Sequence, residues 1–410
     1  MTRNQQRKYL SLKDLLLDNK LAAPLVVLLA VRLMTVLALP VEGLMGYGDY
    51  PHFYDLARLA VDEGGGLPYI GHWVEFPPLF PYLSLIMYQL AGSVEHVYAY
   101  LLAILMLFFD LGNLLLFNRL ANRILHGAWP ERVTWAYVGF LVIPAFGWWT
   151  FEPLVIFFML LALDLILTDR PILAGLIAGL GFLTKLIPVV TLVVAWRYKS
   201  NNHALKTTIV MIAIALLGWA PFILNNQEMA IASIGSQVAK GSWETVWALL
   251  DGNPGTGSFG PIEEHLDAAQ AIRPRGQPAL IPHWIPTLGF AAVGFWFFLK
   301  AGRDGDQQAV RLLAFTWCLV LLWSRGWSPQ WLAYLIPLIL LSLPFSLAGG
   351  FCISLALVSL LEWPILLSRG RFDLLWLPVV IRTALLVLLA VTFGRIVLSR
   401  QEEESRRGVS

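Results

Sequence analysis

Asp49, His52 and Asp55 stand within two turns of one another if their stretch is helical, and His72 and Glu75 follow in the same polar interruption. Carboxylates and a histidine at this spacing suit proton transfer: a positioned carboxylate that takes a hydroxyl proton during attack contributes ~10²–10⁴-fold. Groups that could balance an anion's charge lie much farther along, at Lys185, Lys240 and Arg325, with Glu152, Ser328 and Gln330 as further polar candidates. A site built from all of these needs a fold that brings distant segments together.

Membrane helices are the elements that must do so. The chain has 410 residues, 58% hydrophobic and 14% charged, whereas soluble chains sit near ~45–50% and ~25%. Apolar runs of about 15 to 20 residues recur from Leu21 to Leu398, the length that crosses a hydrocarbon core of ~30 Å as helix. Their continuity, without dyad alternation, favours helices over a barrel. The expected class is an all-α polytopic membrane protein, one domain over 1–410, with about 12 transmembrane helices. A net charge of +2 gives no footing for a nucleic-acid partner; the lipid bilayer is the partner the composition calls for. Cys318 and Cys352 lie in apolar runs and read as core residues without a disulfide framework. The sequence has no soluble domain, repeat or nucleotide-binding glycine loop.

Charge sets the expected orientation. Arg3, Arg7, Lys8, Lys13 and Lys20 keep the N-terminus cytoplasmic, and the lack of a small-residue cleavage site makes Leu21 to Leu39 a retained first span. The loop of about 41–96 then faces outward. Within it, Tyr50 to Asp62 carries apolar positions at helical spacing and suits an interfacial helix, ended by Gly64-Gly65-Gly66 and Pro68. The stretch Pro77 to Leu90 is short and starts with two prolines. It reads as re-entrant or interfacial, because a crossing there would leave Arg119, Arg123 and Arg132 outside. Later runs alternate so that Arg170, Arg197, Lys199, Lys206, Lys300, Arg303 and Arg311 fall in cytoplasmic loops. A second outer loop spans about 224–281, with the turn Asp251-Gly252-Asn253-Pro254-Gly255, and a cytoplasmic tail about 399–410.

In this register Asp49, His52, His72, Glu75, Glu152, Lys185, Lys240, Glu244, Asp251, His265, Arg325, Ser328 and Gln330 all converge on the outer side. Carboxylates and cations framed by aromatics there suit an anionic, membrane-bound molecule meeting a polar acceptor. The seven histidines show no metal-ligand spacing, so the sequence indicates no metal site and no other cofactor.

The order of motifs carries a resemblance. Gly48-Asp49-Tyr50 with Phe53-Tyr54, Gly66-Leu67-Pro68-Tyr69, Glu75-Phe76-Pro77-Pro78-Leu79, Phe182-Leu183-Thr184-Lys185-Leu186-Ile187-Pro188 and Trp327-Ser328-Pro329-Gln330-Trp331 run in sequence over most of the chain. Together they resemble the GT-C glycosyltransferases, in particular the bacterial polyprenol-phosphate-mannose-dependent mannosyltransferases of glycosyltransferase family 87 and the related mannosyltransferases of GPI-anchor synthesis. The resemblance implies a GT-C-like bundle that moves a hexose, mannose in that family, with inversion. The donor would be a polyprenyl-phosphate sugar, the acceptor a glycan or glycolipid at the outer face of the cell membrane. Asp49 matches the family's general base. Lys185 and Arg325 become the leading cations for the departing phosphate, with His72 and Lys240 behind them, and Tyr50, His52, Glu75, Glu152, Ser328 and Gln330 become substrate contacts. A lipid phosphate is already a competent leaving group, so cations that balance its charge can replace a metal clamp. The match departs where Glu75-Phe76 shifts the family's aromatic before the two prolines, and Lys240-Gly241-Ser242-Trp243-Glu244-Thr245 fits the corresponding pattern only loosely.

Plainer readings exist for the same residues. Asp49 before Tyr50-Pro51 is a good helix N-cap, and Glu152 before Pro153 another. Lys185 and Arg325 could snorkel from span ends, and Trp323, Trp327 and Trp331 could form an aromatic belt. Asp110 and Asp164 fall inside expected spans, where they must be paired. Two other functions stay open at this point. A lipid or sugar transporter would favour repeats and broken helices near the midplane. A ligase for a lipid-linked glycan would share the outer site and differ in donor size.

Overall fold

A computed structural model describes residues 19–38, 49–143, 150–253, 255, 260–303 and 305–407. Arg3, Arg7, Lys8 and Lys13 of the basic lead-in, Gly48 of the first motif and Pro254 of the loop turn lie outside the described residues. Among the described residues the regular elements are helices, joined here and there by isolated backbone bridges.

Five helices are long and apolar enough to cross a membrane: Lys20–Ala38, Glu95–Ile124, Asn201–Asn225, Phe345–Arg369 and Phe372–Leu398. Shorter apolar helices accompany them, at Leu79–Leu90, Pro171–Phe182, Ile187–Tyr198, Trp284–Lys300 and Pro329–Ser342. The result is an apolar helical bundle of membrane type. Its surface bears this out, since Ile104, Phe108, Leu216, Leu217 and Leu224 face outward while Arg32, Asp110, Asn113 and Asp164 are buried. That inversion is what lipid demands, because ionised side chains are tolerated there only when turned inward and paired. Arg32 is paired with Asp110, and Arg119 with Asp164 at 3.0 Å.

In chain order the helices that position the site are α1 (Asn19–Ala38), α2 (Tyr50–Val61), α3 (Leu79–Leu90), α4 (Glu95–Ile124), α5 (Trp129–Leu141), α6 (Glu152–Leu167), α7 (Pro171–Phe182), α8 (Leu192–Tyr198) and α9 (Asn201–Asn225). The second half adds α10 (Gln227–Ala239), α11 (Val246–Asp251), α12 (Ala268–Ala271), α13 (Trp284–Lys300), α14 (Asp306–Trp323), α15 (Leu332–Ser342), α16 (Phe345–Leu360) and α17 (Trp376–Arg407). Helices α6 and α15 are apolar on every face and almost wholly buried, as a helix without a polar stripe must be. They form the spine at whose end the candidate site lies. Against α6 packs α7, and α7 lies so close on α9 that a Cβ at Gly175 would run into the Thr207 carbonyl and Val210.

Several expected boundaries take a different form. The stretch Leu186 to Trp196 is not one straight helix but a 3-10 turn, Ile187–Thr191, leading into α8; Pro188 near its start cannot supply a backbone donor. Helix α3 has 12 residues, a rise of ~18 Å, short of a hydrocarbon core. The last helix continues beyond Leu398 to Arg407 instead of giving way to a tail.

Candidate active site

Asp49 stands at the N-cap position of α2, with Pro51 in the first turn, yet its side chain makes no capping hydrogen bond. The carboxylate is turned away from the helix: Gln330 Nε2 donates to Asp49 Oδ2 at 3.2 Å. Gln330 is held by a 3-10 turn, Pro329–Trp331, in which the Trp331 N–H bonds the Ser328 carbonyl at 2.9 Å. The segment around Trp243 is laced onto the residues just ahead of that turn. Trp243 donates to the Arg325 carbonyl at 3.0 Å and its own carbonyl accepts from Trp327 N–H at 3.2 Å. This close approach requires glycine at position 326, where a Cβ would strike the Trp243 ring.

Beside this pair lies a buried ion pair. Lys185, in the turn after α7, places Nζ 2.8 Å from Glu152 Oε1, to which Tyr334 Oη–H also donates at 3.1 Å. Glu152 opens α6 without capping it, and its Oε2 is buried with no hydrogen-bond partner. The Lys185 ammonium sits over three rings, Trp331 at 4.9 Å, Phe151 at 5.1 Å and Tyr334 at 5.6 Å from the centroids, each a favourable face for a cation. A snorkelling lysine would reach for water; this one is drawn back under aromatics.

Electrostatics tie the two pairs together. Burial, and after it the Glu152 carboxylate, pushes Asp49 up to about 6, against the charges of Lys185, His52 and Lys240. Asp49 is therefore an acid poised near neutrality, in the range where a carboxylate is both ionised and basic enough to accept a proton.

A second cluster forms behind α2. His52 Nε2 lies 2.6 Å from Glu75 Oε1, and His265 of the 3-10 turn Ile262–Leu266 faces His52 with ring centroids 5.6 Å apart. Burial alone would raise Glu75, but the adjacent His52 charge and hydrogen bond hold it well below the usual carboxylate range. Gln237 donates to the Glu75 carbonyl. Lys240 lies over the Trp243 ring at 5.8 Å, and burial lowers its pKa while Glu75 and Asp49 oppose that shift.

Three expected site residues are placed elsewhere. Tyr50 is buried, donates to Glu95 Oε1 at 2.7 Å and packs near Tyr98, so it braces α2 against α4. His72 is buried with Nδ1 3.2 Å from the Gly65 carbonyl, and burial drops its pKa to about 4. It is uncharged at neutral pH and supplies no cation for an anionic ligand. Arg325 turns its guanidinium toward Asp251 at the end of α11 at 3.6 Å, and its carbonyl serves Trp243 and Thr245; it fastens the 243–251 segment. Ser328 contributes its carbonyl to the turn that presents Gln330.

The structure also draws in residues the sequence reading did not single out. Arg382 of α17 donates to Glu362 and to the Glu244 carbonyl, with its guanidinium 4.3 Å over the Trp327 ring. Burial first, then the Glu362 charge, raises Glu244 well above its ordinary value, with Asp49 adding to the shift and Arg382 opposing it. An arginine near the start of the last apolar run and a glutamate just before Trp363-Pro364 were the available signals. Tyr334, inside an unbroken apolar run, carried none.

No protein-family model matches the chain, and no curated protein or solved structure matches it. The site's chemistry rests on its own geometry and on the motif resemblance.

Proposed function

We propose that this chain is an inverting GT-C-type glycosyltransferase that moves a hexose, mannose by its resemblance, from a polyprenyl phosphate to a hydroxyl of a glycan or glycolipid at the outer face of the cell membrane. About twelve segments would cross the bilayer, with both termini in the cytoplasm. The reading rests most on one observation: Asp49 declines its capping role and meets Gln330 beside the Lys185–Glu152 pair.

In this reading Gln330 fixes the Asp49 carboxylate so that a free oxygen faces the acceptor hydroxyl. The acceptor oxygen attacks the anomeric carbon from the side opposite the phosphate, its proton passes to Asp49, and the C–O bond to phosphate breaks with its electron pair leaving on the phosphate oxygen. Lys185 takes up the released negative charge. Its partner Glu152 keeps the ammonium in place before the donor arrives, and the rings of Trp331, Phe151 and Tyr334 form a wall against which a sugar or isoprenoid can lie. Positioning plus charge stabilisation of this sort supplies most of what such a displacement needs.

Purified protein in detergent, given a panel of labelled monosaccharide-phospho-polyprenols, should release polyprenyl phosphate and label an acceptor with one of them, mannose first. Inactivity with every monosaccharide-phosphate donor counts against the transferase reading as a whole.

A further inference from the structure

His52, Glu75 and His265 offer ligand atoms that all lie within 4.8 Å of one another, although they come from α2, the segment ahead of α3 and the 3-10 turn Ile262–Leu266. We infer that these three side chains form a divalent-metal site of two imidazoles and one carboxylate, for a borderline cation such as Zn²⁺ or Mn²⁺. The inference stands whether or not the chain is a glycosyltransferase.

The donor state of His265 is fixed by its surroundings. Its Nδ1 lies 2.8 Å from the Trp73 carbonyl, which can only accept, so Nδ1 carries the proton and Nε2 carries the lone pair. That Nε2 is buried and has no hydrogen-bond partner. A metal-binding imidazole is normally prepared in this way, with one nitrogen tied to a carbonyl and the other left bare. The Trp73 indole stacks on the ring at 3.9 Å and 14°, and its own Nε1 donates to the Glu264 carbonyl at 2.9 Å, so the imidazole plane is locked. Trp73 N–H also bonds the His265 carbonyl at 3.0 Å.

Glu75 is similarly incomplete. One carboxylate oxygen meets His52, while Oε2 is buried without a partner, a state that costs free energy unless another group fills it. The two residues each bring a ligand atom within 4.8 Å of the other, and a lone pair on His265 and a bare carboxylate oxygen on Glu75 both seek a positive centre or a donor. Ligands at ~2.0–2.2 Å from a tetrahedral ion stand ~3.4 Å apart, so closure on a metal asks for side-chain movement of about 1 Å. To ligate through Nε2, His52 must present that nitrogen's lone pair, which it does as the neutral Nδ1–H tautomer on turning from Glu75 to the ion. Trp73, Glu75, Ser236, Lys240 and Arg275 line a small cavity alongside. The ion would pin the first outer loop to the second, and with it the wall of the cleft that carries Asp49.

The test uses full-length, tag-free protein stripped with a chelator and titrated with ZnCl₂ and, separately, MnCl₂ in detergent. About one Zn²⁺ or Mn²⁺ should bind per chain, raising the unfolding midpoint, and Glu75→Gln and His265→Gln should each weaken binding by at least ~10-fold. Should those variants fail to fold, X-ray absorption on the zinc-loaded wild-type protein decides the matter. A shell containing two imidazoles and oxygen supports the site. A shell with sulfur or without imidazole, sub-stoichiometric binding of both ions to the wild type, or folded variants that bind as tightly as wild type overturns it.

Discussion

Gln330 donates to Asp49 at 3.2 Å across a separation of 281 positions. The bond joins the N-terminal end of α2 to the turn between α14 and α15, and so fixes the orientation of the carboxylate that the proposed mechanism uses as base. Hydrogen bonds to charged groups contribute ~1.5–3 kcal/mol, which corresponds to ~10–100-fold in rate when the bond is needed in the transition state. Gln330→Ala should therefore lower kcat by about that factor with a smaller change in donor KM, as steady-state kinetics would reveal. Equal loss in Gln330→Ala and in a substitution on the far side of the bundle would remove the orienting role.

The pH dependence follows from Asp49. Its carboxyl is raised to about 6, chiefly by burial, and only the ionised form can accept a proton. The transfer rate should be flat above neutrality and fall as pH drops through about 6. Stability runs the other way. A carboxyl with a raised folded-state pKa favours folding while it is protonated, and that contribution is lost as pH rises through about 6. Asp49→Asn should thus abolish the acid limb and raise the thermal midpoint at pH values above it. An acid limb that persists unchanged in the Asn variant would assign the titration to another group.

Lys185 and Glu152 separate binding from folding. Lys185→Ala should raise donor KM and lower kcat, with Lys185→Arg restoring part of both, because the released phosphate loses its countercharge. Glu152→Ala leaves the ammonium under its aromatic rings without a carboxylate, and removing one partner of a buried pair costs ~3–5 kcal/mol. Lys185→Ala likewise strands the still more buried Glu152 carboxylate, so both alanine variants should show a lowered unfolding midpoint, and the expected signature of phosphate binding is a further rise in donor KM in folded Lys185→Ala that folded Glu152→Ala does not match. Identical behaviour of the two variants would make the pair purely structural.

How legible the site was depended on where each group's partner lay. The helix Tyr50–Val61 and its glycine stop could be read from local spacing, and so could the pairing needed by Asp110 and Asp164 inside apolar runs. Asp49, Glu152, Lys185 and Gln330 were recognisable as candidates because polar and charged groups at the ends of apolar runs need a reason. What the sequence could not reveal was direction. Arg325 and Lys185 look alike as cations near span ends, yet one turns to Asp251 and the other to Glu152, a choice made by packing between distant segments. Tyr50 lies next to Asp49 in sequence but one position along a helix turns it to Glu95. His52, Glu75 and His265 have no ligand spacing along the chain, since the last of them arrives from the distant turn Ile262–Leu266.

The orientation across the membrane has its own test. In a background where Cys318 and Cys352 are replaced, a cysteine at His126 should be labelled only from the cytoplasmic side and one at Gly255 only from outside. The reverse pattern would place Asp49 on the cytoplasmic face and remove the outer-face reading.

Single-turnover transfer of labelled mannose from its polyprenyl phosphate by wild-type and Asp49→Asn protein, compared at the same folded concentration, bears most directly on the role of Asp49. The account predicts rapid release of polyprenyl phosphate by the wild type and a rate lower by ~10²–10⁴-fold in the variant, the contribution of a positioned base. A correctly folded Asp49→Asn protein that transfers at the wild-type rate would contradict it.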